Sequence, residues 1–308
     1  MDILFLGTGG AWAVPELNCD CRICAGMRRA GESRGRSAFL LSRRSNLLVD
    51  CGPDIRSQLM RNRVDGVSGV LISHEHGDHY MGMDELFAFR RNSPRDHWRP
   101  IPVFMTRETW EVVRLRFDYL EQMGVIRYTP ITPGEWFSHR EWDIYPFKTE
   151  HGAFAKGSVG FMIRWKDRGG RDVRLVYTSD FMDIPGFDPV LASPDWLIIQ
   201  SFWLNEPAHN RPHHMSFQRA LQFIRRFAPV KGTFLVHMGD ADMVPGDPAN
   251  INTKKYAPRD PLRPAGSEAP YPIPLNQAQW QRVVERILAD RDIPCRVRVA
   301  YDDLRVRL

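Results

Sequence analysis

The stretch Leu71-Ile-Ser-His74-Glu-His76-Gly-Asp78-His79 restricts the fold more than any other part of this chain. It follows the apolar run Val67 to Ile72, the pattern of a strand end emptying into a loop. In extended chain, residues i and i+2 point the same way, so His74 and His76 can grip one metal ion. Asp78 and His79 leave the strand by another route and suit a second ion. A single histidine is more often a hydrogen-bonded core or surface residue, whereas four ligand-type side chains at this spacing point to metal. Such a cluster needs a fold that brings further ligands to the same strand end.

Read in order, the chain offers them. Met1 to Leu6 reads as a strand, and Gly7-Thr-Gly-Gly10 as a tight turn without the further glycine and helix of a dinucleotide fingerprint. Cys19-Asp-Cys21-Arg-Ile-Cys24 places three thiols within six residues, in a segment whose Pro15, Asn18 and Gly26 argue against regular structure. Clustered thiols of this kind most often hold zinc, and a closed structural site needs a fourth ligand from elsewhere. Ala38 to Ser42 and Asn46 to Asp50 form a hairpin, and a helix runs from Pro53 or Asp54 to Asn62. Asp50 reads equally as a turn or capping residue and is given no chemistry.

Beyond the histidine cluster, Met83 to Phe89 suits a short helix, Ile101 to Met105 a strand and Glu108 to Met123 a longer helix. His97 and His139, without partner spacing, read as solvent-facing. Strands over Trp142 to Lys148 and Val173 to Thr178 end just before His151 and Asp180, where loops present functional groups from a rigid sheet. Asp195 to Gln200 is a further strand. His213 and His214 precede a helix from Phe217 to Phe227 with Ser216 as its N-cap, and the strand Gly232 to Val236 delivers His237. From about 241 to 275, eight prolines from Pro245 to Pro274 exclude long helices and central strands, leaving a lid, a plain insertion or an arm that would join a homodimer. An amphipathic helix over Asn276 to Asp290 and two closing strands finish the chain.

With 308 residues, 43% apolar and 11% aromatic, the chain can bury a large core as one domain over 1–308. No run approaches the ~18 apolar residues of a membrane span, and the N-terminus has no export signal pattern, so a soluble cytoplasmic protein is expected. A net charge of +5 without a dense basic block suits a small anionic substrate and neither demands nor excludes nucleic acid. Five cysteines, three of them bunched, fit a reducing compartment rather than a disulfide framework.

The motif His74-x-His76-x-Asp78-His79, followed in order by His151, Asp180, His214 and His237, resembles the signature of the metallo-β-lactamase superfamily of dinuclear hydrolases. The resemblance implies a four-layer αββα fold with two mixed β-sheets flanked by helices. It also implies one ion on His74, His76 and His151, a second on Asp78, His79 and His237, and Asp180 between them. The ions would be manganese or zinc, and a hydroxide shared between them would be the nucleophile, since bound water can fall to a pKa of about 7. Asp78 and His214 are then the side chains expected to take part in catalysis. The cysteine cluster behind Leu6-Gly-Thr-Gly-Gly10 narrows the resemblance to the cyclic-phosphate phosphodiesterases of the carbon–phosphorus lyase pathway, which open 5-phosphoribosyl 1,2-cyclic phosphate. In that family a histidine completes the cysteine zinc site at the position occupied here by Asp240, so Cys19, Cys21, Cys24 and Asp240 form the expected structural zinc set. Three other readings compete: a ribonuclease Z-like nuclease, a lactone or thioester hydrolase, and a non-hydrolytic protein resembling pyrroloquinoline-quinone protein B.

Overall fold

Alternating apolar residues drive two sheets together. The computed structural model describes all residues from Met1 to Leu308. The first sheet holds seven strands in the order β14-β1-β2-β3-β4-β5-β6 and the second seven in the order β13-β12-β11-β10-β9-β8-β7. The strands of the first are β1 (Asp2–Gly7), β2 (Ala38–Ser42), β3 (Asn46–Val49), β4 (Gly69–Leu71), β5 (Ile101–Met105), β6 (Ile126–Pro130) and β14 (Leu304–Arg307). Those of the second are β7 (Phe137–His139), β8 (Trp142–Lys148), β9 (Val159–Lys166), β10 (Asp172–Tyr177), β11 (Trp196–Gln200), β12 (Gly232–Val236) and β13 (Val297–Val299).

The two sheets repeat one plan. In the first, β14, β1, β2 and β3 pair antiparallel and β3 to β6 pair parallel. In the second, β7 to β10 pair antiparallel and β10 to β13 parallel. Strand β3 therefore matches β10, β4 matches β11 and β5 matches β12. The chain is built from two halves of like topology that share no sequence repeat visible by eye.

Period-2 burial explains the layering. Ile3 and Phe5 of β1 meet Phe161, Ile163, Ile198 and Phe234 of the other sheet in a central cluster. The intervening Leu4 and Leu6 face outward and pack with Val70 and Val103 beneath two helices, Ile55–Arg61 and Arg107–Gln122. On the far side, the helices Phe217–Phe227 and Gln277–Asp290 cover the second sheet, burying Phe223, Ile224, Val284 and Ile287. The result is four layers, helix, sheet, sheet, helix, as the resemblance implied.

Most elements fall within two residues of their expected bounds, and the departures are informative. Residues Arg22–Ala30 form a helix, not irregular chain. Its N-cap is Cys21, whose thiol sulfur accepts from Cys24 N, and Gly31 closes it in the left-handed conformation with φ of 67°. Short helices at Gly77–Tyr80 and Phe87–Arg91 flank a 3₁₀ turn at Met83–Leu86. His139 is not solvent-facing: its Nε2 lies 3.0 Å from Ser68 O and its ring packs on Phe104. The proline-rich stretch carries only the 3₁₀ turn Pro248–Ile251, yet it is packed down. Leu262 and Tyr271 enter the second sheet's helix-facing core, and Val244 joins the three clustered cysteines. No helix is long and apolar enough to cross a membrane.

Candidate metal centre

The site grows from strand ends. His74 follows β4, His151 follows β8, Asp180 follows β10 and His237 follows β12, so both sheets contribute at one rim of the sandwich. Four non-glycine residues there adopt left-handed backbone: Asp50 (φ 61°), Ser179 (56°), His213 (56°) and His237 (58°). Side chains pay of order 1 kcal/mol or more for such geometry, which persists where the surroundings over-determine it and clusters at functional sites.

The potential ligand atoms of His74, His76 and His151 lie within 4.8 Å of one another, as do those of Asp78, His79, Asp180 and His237. Asp180 Oδ2 joins the groups, at 3.0 Å from His237 Nε2, 3.5 Å from His79 Nε2 and 3.7 Å from His151 Nε2. All seven residues singled out from the sequence as dinuclear ligands are thus brought together. His214 sits beside them, its Nδ1 3.5 Å from Asp180 Oδ2 and its ring stacked on Phe202.

Whether these residues fit cations can be judged from their unmet bonding. His74 Nε2, His79 Nε2 and both Asp180 oxygens are buried and make no hydrogen bond of good geometry, facing one another only across ion-pair distances such as the 3.0 Å from His237 Nε2 to Asp180 Oδ2. A buried polar atom left poorly satisfied costs roughly 1–3 kcal/mol, so four of them within two adjoining ligand groups call for a ligand. Imidazole nitrogens and carboxylate oxygens are the donors that zinc, manganese and iron accept.

The charges agree. Burial pushes His74 and His214 well below the ordinary imidazole range and His151 down to about 4, leaving neutral rings with free lone pairs. His79 and His237 behave oppositely. Burial would lower them, but Asp78, Asp50 and Asp180 hold His79 well above the ordinary value, and Asp180 with Asp78 raises His237 to about 9. Burial would likewise raise Asp78 and Asp180, yet the imidazoles of His79 and His237 keep both well below the carboxylate range.

Several supporting residues are given no chemistry by the sequence, Asp50 at its strand end among them. Asp50, fully buried, accepts from His79 Nδ1 (2.9 Å), Tyr177 Oη (2.9 Å), Ser73 Oγ (3.1 Å) and Ser73 N (2.9 Å). It thereby fixes the His79 ring with Nε2 facing Asp78 and Asp180, the orienting role that ligand histidines usually require. His151 Nδ1 donates to His213 O at 2.8 Å, which frees its Nε2 for the cluster. Gln200 Oε1 accepts from Phe181 N and Met215 N, so its amide nitrogen faces His214 Nδ1 at 2.7 Å and His237 Nδ1 at 3.1 Å. Glu75, between the paired histidines, accepts from Thr109 Oγ1 and Gly157 N, tying the first cluster to the loop that carries His151. Gly10 closes the rim, since a Cβ there would meet Phe202 at 2.6 Å and His237 at 3.3 Å.

A second cluster lies apart from the first. The Cys19, Cys21 and Cys24 sulfurs stand 3.8, 3.4 and 3.0 Å from Asp240 Oδ2, all buried. Lys254 Nζ bonds Asp240 and also Glu16 Oε2 at 2.8 Å. Hydrogen bonds from the Cys24 side chain and backbone press the Cys21 thiol down to about 5. Three sulfurs and a carboxylate form the four-donor set of a closed site.

A four-layered sandwich, two sheets between helices, with histidines and aspartates gathered at one rim defines the class: a metallo-β-lactamase fold. More narrowly, the chain belongs to the β-lactamase superfamily domain family, whose model matches residues 45–238. Among curated proteins it is 26% identical over 199 residues to an octanoyltransferase from Porphyromonas gingivalis, covering 60% of this chain and 39% of that protein. It is 30% identical over 176 residues to ribonuclease Z of Halobacterium salinarum, covering 56% of this chain and 50% of the relative. The chain thus spans half or less of each of these two relatives. Among solved structures, a diphosphatase from the PhnP family superposes with a TM-score of 0.71 at 18% identity, covering 100% of this chain and 97% of that one. Zinc-bound PqqB from Methylobacterium extorquens gives 0.71 at 19%, covering 100% of both chains, and the short form of human tRNase Z gives 0.62 at 17%, covering 100% and 99%. These structural likenesses bear on the fold.

Proposed function

We propose that residues 1–308 form one catalytic unit, a dinuclear-metal phosphodiesterase acting on small cyclic phosphodiesters. The observation that carries the reading is the convergence of seven ligand-type residues, five of them buried, on the two Asp180 oxygens and the facing imidazole nitrogens. His74, His76 and His151 would hold one divalent cation, Asp78, His79 and His237 the other, and Asp180 would touch both. When bound, such a pair supplies an activated water near neutral pH and neutralises phosphoryl oxygens.

The chain's own residues do the rest. Asp50 and His213 O hold ligand rings in register. Gln200 donates to His214 Nδ1, so the neutral ring carries its proton on Nε2 and can hydrogen-bond a phosphoryl or leaving oxygen. Asp78, kept ionised by His79 and His237, stays a ligand across the neutral range. The ribonuclease Z relatives, with a PhnP-family diphosphatase and a tRNase Z among the structural neighbours, support a phosphorus centre over lactones or thioesters.

A second reading, an RNA-processing nuclease, is favoured by the ribonuclease Z relatives. Against it, nucleases of that kind carry a substrate-gripping arm between the positions that His151 and Asp180 match, and here that short span holds only the β9–β10 hairpin and its loops. Cys19, Cys21, Cys24 and Asp240 are proposed to hold a structural zinc ion. Turnover of cyclic ribose phosphates, cyclic nucleotides, linear diesters, precursor transfer RNA and a lactone by manganese- and zinc-loaded protein tests the reading. Preference for the cyclic diesters supports it, and turnover of the RNA or the lactone alone overturns it.

A further inference from the structure

One cavity lies outside the metal centre yet is built as if for charge. It measures about 240 Å³ and lies between residues 208–211 and 253–257, lined by His209, Arg211, Thr253, Lys255 and Tyr256 with two alanines. At about 30 Å³ per water molecule, that volume holds on the order of eight waters, ample for a small oxyanion.

Its two cationic side chains differ. Lys255 is buried, its ammonium bonds Asp240 O and Asp242 O with one of three N–H donors unassigned, and its charge also acts on the nearby Asp240 and Asp242 carboxylates. Arg211 makes no ion pair and no side-chain hydrogen bond, so its five donors are open at the cavity wall. No carboxylate residue lines the space.

Both walls are held firm. Ala208 N bonds Ala257 O at 2.8 Å, Arg259 N bonds Glu206 O at 2.8 Å, and Tyr256 N bonds Ala241 O at 2.9 Å. The Tyr256 ring also packs edge-on against Trp203, with centroids 5.5 Å apart. One wall belongs to the proline-rich stretch, outside the residues 45–238 that the family model matches.

We propose that this cavity is a binding site for a phosphate-type dianion, separate from the metal centre. Arg211 supplies the planar fork that matches two phosphate oxygens, and the buried Lys255 ammonium a point charge behind them. The same loop reaches the catalytic rim, because Asn210 Nδ2 donates to His214 O at 2.7 Å and Asn210 Oδ1 accepts from His214 N at 3.2 Å. An anion seated between Arg211 and Lys255 therefore steadies the segment that positions His214. The proposal stands whether or not the protein hydrolyses a diester.

The test is a titration of metal-loaded, full-length protein with inorganic phosphate, and in parallel with a sugar phosphomonoester, followed by calorimetry and by the thermal midpoint. Phosphate bound at the metal centre contributes equally in every variant, so the difference between variants reports the cavity. One anion per chain is expected to weaken at least about tenfold in Arg211→Ala, with partial rescue by Arg211→Lys. Arg168→Ala, on the β9–β10 turn, leaves the titration unchanged. Lys255→Met is the second variant, read only where its circular dichroism matches the parent. Free phosphate binding alone identifies the ligand as the inorganic ion, and tighter phosphomonoester binding identifies an ester. Equal titrations for the parent and Arg211→Ala overturn the proposal.

Discussion

Replacing Asp50 tests how far the centre depends on a residue that touches no reacting atom. Its carboxylate takes four hydrogen bonds, all from other segments: two from Ser73, one from His79 Nδ1 and one from Tyr177 Oη. Asp50→Ala leaves a buried imidazole and a buried phenol without partners, a cost of about 1–3 kcal/mol each. A loss of about 3–5 kcal/mol in stability is therefore expected, comparable to breaking a buried pair. Asp50→Asn keeps the shape but turns one acceptor into a donor facing either Ser73 N or His79 Nδ1. For it we expect ion affinity to fall by about 10–100-fold, the usual penalty for losing a ligand's orienting partner. The effect should be larger for the ion on Asp78, His79 and His237 than for the one on His74, His76 and His151, because only His79 bonds Asp50 directly. Chelator competition with two resolvable steps, alongside thermal unfolding of the ion-free protein, gives both numbers. If Asp50→Asn binds both ions with parental affinity, the orienting role is wrong.

Other outcomes follow from the same geometry. A methyl group at Gly157 would lie 2.3 Å from Thr109 Oγ1 and 2.5 Å from Thr106 Oγ1, so Gly157→Ala should displace the loop after His151 and lower kcat more than it lowers the thermal midpoint. His214→Ala should cut turnover by about 10²–10⁴-fold while metal content stays at the parental level. In ion-free protein, His237 is raised from 6.5 to about 9, so its stabilising contribution is complete below pH 6.5 and disappears as pH rises through about 9. Thermal midpoints of chelated protein should fall across that window, and ion affinity should climb with pH as the His79 and His237 protons are displaced. Cys21→Ser should remove one tightly held zinc per chain and leave the dinuclear pair loaded, as elemental analysis before and after mild chelation would show.

Much of the architecture was legible because it obeys local rules. The helix Phe217–Phe227 was marked by Ser216 at its N-cap and by its apolar stripe, and the strand Gly232–Val236 by its apolar run. The ligands were legible because each follows a strand end in an order that resembles a known signature. What stayed hidden depends on distance along the chain. Asp50 and Tyr177 meet across 127 positions, and Gln200 joins histidines 14 and 37 residues away, so no window of sequence shows either contact. The helix after Cys21 was missed because its cap is a thiol, outside the serine, threonine, aspartate and asparagine that usually announce a start. His139 looked solvent-facing because its short strand, Phe137–His139, carries too few residues to show a period. The insertion's prolines excluded regular elements but gave no hint that Val244, Leu262 and Tyr271 would anchor it.

The central claim is that the two clusters around Asp180 hold a pair of cations. Anomalous diffraction from crystals grown with excess manganese addresses it directly. Two peaks are expected, one among His74, His76 and His151 and one among Asp78, His79 and His237, with Asp180 in contact with both. A single peak at the cysteines, or none between the histidines, would contradict it.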